Sequence, residues 1–210
     1  MDLLTSIAIN RPFRIISWNL LRWDGASLED ILTVIRTENP DIILMQEALD
    51  LVDNLPSRLG GYYNRIPLPG RPHGTACWSR FPFAKPPVLC HLPRGIIVKR
   101  TAQVLDFGLF SLANVHLSHG QILNRRQLRT ITKNMHYNAV IMGDFNLVGP
   151  VLLPGFQDVG PREKTHRMLD RVPLRLDRCL TRGINRLEAH ALPRFGSDHR
   201  PISVSLTITP

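Results

Sequence analysis

Two apolar segments with a helix between them constrain this chain most. "FRIISWN" (Phe13 to Asn19) is rich in β-branched and aromatic residues and reads as a buried strand. "SLEDILTVIRTENP" follows, with a capping serine at its start, Leu28, Ile31, Leu32 and Ile35 at helical spacing, and Pro40 as the stop. "DIILMQE" then supplies a second short strand. Strand, helix and strand in so few residues form a crossover unit, which requires layered α and β structure.

The rest of the chain predicts mostly strands. Gly and Pro punctuate the text from Gly60 to Pro93, which reads as short strands joined by turns, with "GTACWSR" the clearest. "GIIVKRTAQVLDFG" and "LFSLANVHLS" read as consecutive antiparallel strands. A helix is expected from Ile122 to His136, with an apolar stripe of Leu128, Ile131 and Met135 flanked by Arg125, Arg129 and Lys133. "NAVIMGDFN" is a core strand, Val148 to Arg171 a long irregular loop, and "LRLDRCLT" and "RPISVSLTI" are closing strands. With 210 residues, 43% of them hydrophobic, the chain suits one domain over residues 1–210. The expected class is α+β: two packed, mostly antiparallel sheets with helices outside.

Composition narrows the setting. No apolar run is long enough for a membrane-spanning helix, and the start, "MDLLTSIAINRPFR", does not read as a secretion signal. Cys77, Cys90 and Cys179 lack paired spacing, so they read as small buried hydrophobes in a reducing compartment, and a cytoplasmic location is expected. The net charge of +9 points to an anionic partner. Of the 26 basic residues 22 are arginines, whose planar forks suit phosphate oxygens, although a GC-rich coding sequence gives the same skew.

Several strands end in polar side chains. "SWN" ends in Asn19, "LMQE" in Glu47 and "ANVHL" carries His116; "GDFN" supplies Asp144 and Asn146, "RLD" Asp177, and "GSDH" Asp198 and His199. Singly these are ordinary turn or capping residues. An acid directly after the apolar run of "VIMGD", however, is costly to bury without a partner. If the strand ends share one edge, they form a cluster of acids, amides and histidines. Such oxygen-rich ligands suit Mg²⁺ or Mn²⁺ rather than zinc, and the chemistry they best support is hydrolysis of a phosphate ester.

The order of these motifs, from "ISWNL" through "DIILMQE", "GTACWSRFPF", "NVHLSHGQILNRRQL", "VIMGDFN" and "LRLDRCL" to "GSDHRPI", resembles the endonuclease/exonuclease/phosphatase superfamily over nearly the whole chain. The resemblance implies the deoxyribonuclease I-like fold, a four-layer α/β/β/α sandwich with a Mg²⁺ site at one edge. It implies Glu47 as the main metal ligand beside Asn19, with Asp198 contributing. It further implies Asp144 and Asn146 on the attacking water and the phosphate, His116 on the phosphoryl oxygens, His199 either on the scissile phosphate or as the base, and Asp177 fixing the tautomer of His199. "GTACWSRFPF" departs from the pattern at Cys77 and Trp78, and "RLDRCL" at Arg178, which adds a basic group; Arg178 and Arg125 are candidate phosphate-binding residues. The chain is short for the superfamily, so the loops that some members use to grip duplex DNA are expected to be absent.

The leading expectation is a Mg²⁺-dependent nuclease or phosphodiesterase acting on nucleic acid. The alternative is a phosphatase or phosphodiesterase for an anionic phospholipid or small phosphorylated metabolite, docked through "VLLPGF" of the long loop. A non-catalytic binding module is a third reading, disfavoured because every acid and histidine needed for turnover is present. No protein partner is implied, and a monomer is expected.

Overall fold

A computed structural model describes residues 7–22, 24–95, 99–168 and 172–209. The first six residues of the expected non-signal start, and parts of the segments around residues 96–98 and 169–171, lie outside the described residues. In chain order the elements are β1 (Phe13–Asn19), α1 (Leu28–Glu38), β2 (Ile42–Ala48), α2 (Leu55–Leu59), β3 (Tyr62–Pro67), β4 (Gly74–Ser79), β5 (Lys85–His91), β6 (Thr101–Asp106) and β7 (Ser111–His116). They continue as α3 (Gln121–Thr132), β8 (Ala139–Asp144), β9 (Gln157–Asp158), β10 (His166–Met168), β11 (Val172–Leu174), β12 (Asp177–Arg182), β13 (Asn185–Ala191) and β14 (Ile202–Thr207).

Two six-stranded sheets result, ordered β13-β14-β1-β2-β4-β3 and β5-β6-β7-β8-β12-β9, with β10 and β11 a separate hairpin. Each sheet has one parallel pair at its centre, β1 with β2 and β7 with β8, and its other neighbours are antiparallel. A helix, α1 or α3, lies in each crossover, as parallel pairing demands.

The period of two along each strand divides the core into three apolar layers. On β2, Ile42 and Leu44 face the space between the sheets while Ile43 and Met45 pack with Ile31, Leu32 and Ile35 of α1. On β8, Val140 and Met142 face inward while Ile141 packs with Leu128 and Ile131 of α3. The architecture is therefore helix, sheet, sheet, helix, the deoxyribonuclease I-like sandwich. Cys77 and Trp78 are both core: the thiol faces the inter-sheet layer and the indole packs in the α1 layer, with its N–H on the Gly60 carbonyl at 2.8 Å.

Local chemistry explains the helix ends. Ser27 Oγ accepts from the Asp30 N–H at 3.1 Å while Asp30 accepts from the Ser27 N–H at 2.9 Å, and Asn39 closes α1 in the left-handed conformation. Helix α3 ends at Thr132, four residues before the expected His136, because Asn134 and Met135 donate to Ile131 and Thr132, contracting the spacing to three residues. The irregular loop after β8 contains β9 and β10, and β13 appears where no strand was expected. No helix among the described residues is long and apolar enough to cross a membrane.

Candidate active site

The topology brings the polar strand ends together. The C-terminal ends of the two parallel pairs share an edge with the start of β12 and the approach to β14. In register, Asp144 lies between His116 of β7 and Asp177 of β12, and Asn19 lies beside Gln46 of β2.

The ends of β1 and β8 are built alike. Asn19 Oδ1 accepts the N–H of Leu21 at 3.1 Å, and Asp144 Oδ1 accepts that of Asn146 at 2.8 Å. Leu21 and Asn146 both have left-handed backbones, with φ of 55° and 49°. These Asx turns fix each side chain against its own strand end. Gly143 is required before Asp144 because a Cβ there would meet the Val115 carbonyl of β7 at 2.0 Å. On β2 a bulge between Met45 and Ala48 gives Glu47 a φ of 53°, a strained conformation for a non-glycine residue. It places Glu47 at the edge while Gln46 turns inward to bond Ser17 and Asn114.

Asp144 is the hub. Its Oδ2 accepts from Asn19 Nδ2 at 3.1 Å and Asn146 Nδ2 at 3.0 Å, and faces His116 Nε2 at 3.4 Å and His199 Nε2 at 3.9 Å. His116 Nε2 also lies 4.0 Å from Glu47 Oε1. His199 Nδ1 is 2.8 Å from Asp177 Oδ2, while the other carboxylate oxygen of Asp177 is buried without a partner. The segment before β14 is tied to β1: Ser197 Oγ donates to the Asn19 carbonyl at 2.7 Å, and Trp18 Nε1 to the His199 carbonyl at 3.1 Å.

Burial dominates the electrostatics. It pushes the Asp144 carboxyl up to about 6, an effect reinforced by Asp177 and opposed by His199 and by the hydrogen bonds from Asn146 and Asn19. Burial alone would pull His199 down, but Asp177 and Asp144 outweigh it and raise the imidazole to about 10. His116 is held well below its usual value by burial and then by the cations around it, Arg100 first. The edge thus holds a carboxylate poised near neutrality, a protonated imidazole anchored by an acid, and a neutral imidazole.

Asp198, expected to contribute to the metal site, faces His166 at 3.6 Å on the side of His199, and the three form a group that could hold a metal ion. Some expectations are displaced. Arg178, expected on phosphate, is buried and committed to Asp158 at 3.0 Å and to the carbonyls of Leu147, Gly149 and Arg175. It anchors the loop after β8. Arg125 stands half-buried on α3 and makes no bond to the cluster among the described residues. Two histidines escaped the sequence reading. His166 stacks on His199 with ring centroids 4.4 Å apart, and His73 lies 3.3 Å from Arg22, whose guanidinium is 3.7 Å from Glu47. Both stand in irregular text; the one signal for His73 was its place between Pro72 and the Gly74 that opens a buried strand.

The donor set fits a divalent cation. Glu47 and Asp144 offer hard carboxylate oxygens on either side of His116, and Asp144, Asp177 and His199 form one buried group with ligand atoms within 4.8 Å of one another. His166, Asp198 and His199 form a second such group.

Fold and site together define a metal-dependent hydrolase of phosphate esters. The family model described as "Endonuclease/Exonuclease/phosphatase family" matches residues 16–199, and the chain belongs to that family. No curated protein matches it. Among solved structures it is similar to an endonuclease/exonuclease/phosphatase from Beutenbergia cavernae, with 18% identity over 95% of this chain and 72% of that one and a TM-score of 0.70. A humanized D. rerio TDP2 gives 18% identity over 93% and 99% of the two chains, at a TM-score of 0.75. D. rerio TDP2 complexed with single-strand DNA product gives 17% over 94% and 100%, at 0.74.

Proposed function

We propose that the protein is a Mg²⁺-dependent phosphodiesterase that hydrolyses nucleic acid. The observation that carries the reading is the fully buried Asp144 carboxylate, on which Asn19, Asn146, His116 and His199 converge. Glu47, with Asn19 beside it, would hold Mg²⁺, or Mn²⁺ in its place. The dication would polarise the phosphoryl group and offset charge developing on its oxygens. Asp144, with Asn146, orients the attacking water and accepts its proton, a task suited to a carboxyl titrating near neutrality. His199 donates its Nε2–H to a phosphoryl oxygen while Asp177 holds the opposite nitrogen, and His116 adds a neutral donor. Asp198 supports His199 through His166.

Nucleic acid as substrate is supported by the net charge of +9 and by the likeness to D. rerio TDP2, whose structure contains a single-strand DNA product. The buried, unpaired thiols of Cys77, Cys90 and Cys179 suit the cytoplasm. One observation favours the alternative of an anionic lipid or small phosphorylated metabolite: Val148 and Leu152, in the loop after β8, are 66% and 49% exposed. A panel of single-stranded DNA, plasmid DNA, RNA, anionic phospholipid vesicles and phosphorylated small molecules, each with Mg²⁺, tests the reading. Cleavage of nucleic acid is expected; hydrolysis confined to the other substrates would overturn it.

A further inference from the structure

Next to Glu47 and His116 lies a recess of about 10 Å³ lined by residues that also include His73, Thr75, Arg100 and Thr101. That volume admits about one oxygen atom. Beside it is a cleft of about 400 Å³ lined by Arg22, Arg71, Lys99 and Arg100 together with His73 and Glu47. Asp144, Asp177 and His199 line neither space.

Four polar atoms of the recess are buried without a hydrogen-bond partner among the described residues: His73 Nδ1, Thr75 Oγ1, Thr101 Oγ1 and Arg100 Nε. Buried polar atoms are rarely left so, and here they cluster. His73, Thr75 and Thr101 are only 5%, 3% and 4% exposed. The tautomer of His73 follows from its neighbour. Arg22 Nη1 is 3.3 Å from His73 Nε2, and a guanidinium only donates, so Nε2 accepts and the proton sits on the unpartnered Nδ1. The recess therefore offers an imidazole N–H, two hydroxyls and a guanidinium N–H, every one able to donate, and the cleft beside it sets four cations against a single carboxylate.

We propose that the recess and cleft form a subsite for a second phosphate of the substrate, the one adjoining the scissile link in a nucleic-acid strand. The assignment rests on the nuclease reading above. Phosphate supplies what these groups lack: several anionic oxygens, one to enter the recess and others to meet Arg71 and Arg22.

The test uses short single-stranded oligonucleotides carrying one uncharged methylphosphonate at each position around the cleaved link, with wild type, Arg71→Ala and Thr101→Val. Arg71 is exposed and its side chain makes no hydrogen bond or ion pair among the described residues, so its removal leaves folding intact. On wild type, neutralising one flanking phosphate should raise KM about tenfold, the scale of one charge-assisted hydrogen bond. Arg71→Ala should raise KM for the fully charged strand similarly and show little further penalty from the neutral link, and Thr101→Val should give a smaller effect of the same pattern. If wild type cuts strands with neutral flanks as well as charged ones, the subsite is refuted and the nuclease reading stands. If wild type cuts no strand at all, the nuclease reading falls and the subsite with it.

Discussion

Asp144 shows why a stable fold keeps an unstable residue. Its carboxyl is raised from 3.8 to about 6, so the folded protein binds that proton more tightly than the unfolded chain does. The ionised group therefore costs stability above about pH 6, and the cost vanishes below 3.8, where both states are protonated. Asp144→Asn cannot ionise, although its amide NH2 replaces one of the two accepting oxygens, so its melting temperature relative to wild type should move in its favour by a few degrees as pH rises from about 4 to about 7.5 in EDTA. The same variant should lose turnover by about 10²- to 10⁴-fold, the usual worth of a positioned base. Calorimetry across this pH range and a rate assay on one preparation check both, and a pH-independent difference in melting temperature with retained turnover would refute the role of Asp144.

At the scale of elements, the site depends on two parallel strand pairs held at matching height. Beneath it, Gln46 Nε2 donates to Ser17 Oγ of its own sheet at 3.0 Å and across to Asn114 Oδ1 of the other sheet at 2.8 Å. Asn114 Nδ2 is within hydrogen-bond reach of the carbonyls of Met45 and Ala76 and of Gln103 Oε1. Asn114→Ala removes the bonds made by Asn114 and leaves Gln46 only Ser17, and should cost about 2–4 kcal/mol in denaturant unfolding, with a fall in turnover because Glu47 and His116 lose their common support. Unchanged stability would show that the network does not join the sheets. Elements buried on both faces, such as "FRIISWN", "DIILMQE" and "NAVIMGDFN", were legible because continuous apolar runs have few other uses. Strand β13 was not: it is an edge strand whose first four residues are exposed, so "NRLEAHA" carries no burial pattern to read. The polar ends of the buried strands announced the site, but the commitment of Arg178 to Asp158 and the placement of Asp198 with His166 depend on loops folding back over long sequence separations. No local pattern encodes those contacts.

At the scale of the whole molecule, charge sets the partner. Four of the 26 basic residues, Arg22, Arg71, Lys99 and Arg100, line the cleft beside Glu47. Binding of single strands should weaken with salt at a slope of about −0.7 per phosphate neutralised, giving about −2 or steeper in a plot of log affinity against log salt if three or more phosphates are engaged. Fluorescence anisotropy in EDTA checks this, and a flat dependence would exclude a nucleic-acid strand as the bound species. The most direct measurement of the central claim, that this edge hydrolyses phosphate esters with a bound dication, is turnover of a chromogenic phosphodiester by wild type and Glu47→Gln across a Mg²⁺ titration. Activity should be abolished by EDTA and restored by Mg²⁺, and Glu47→Gln should recover only weakly and at higher Mg²⁺; turnover that survives EDTA, or a Glu47→Gln enzyme indistinguishable from wild type, would show that Glu47 holds no catalytic dication.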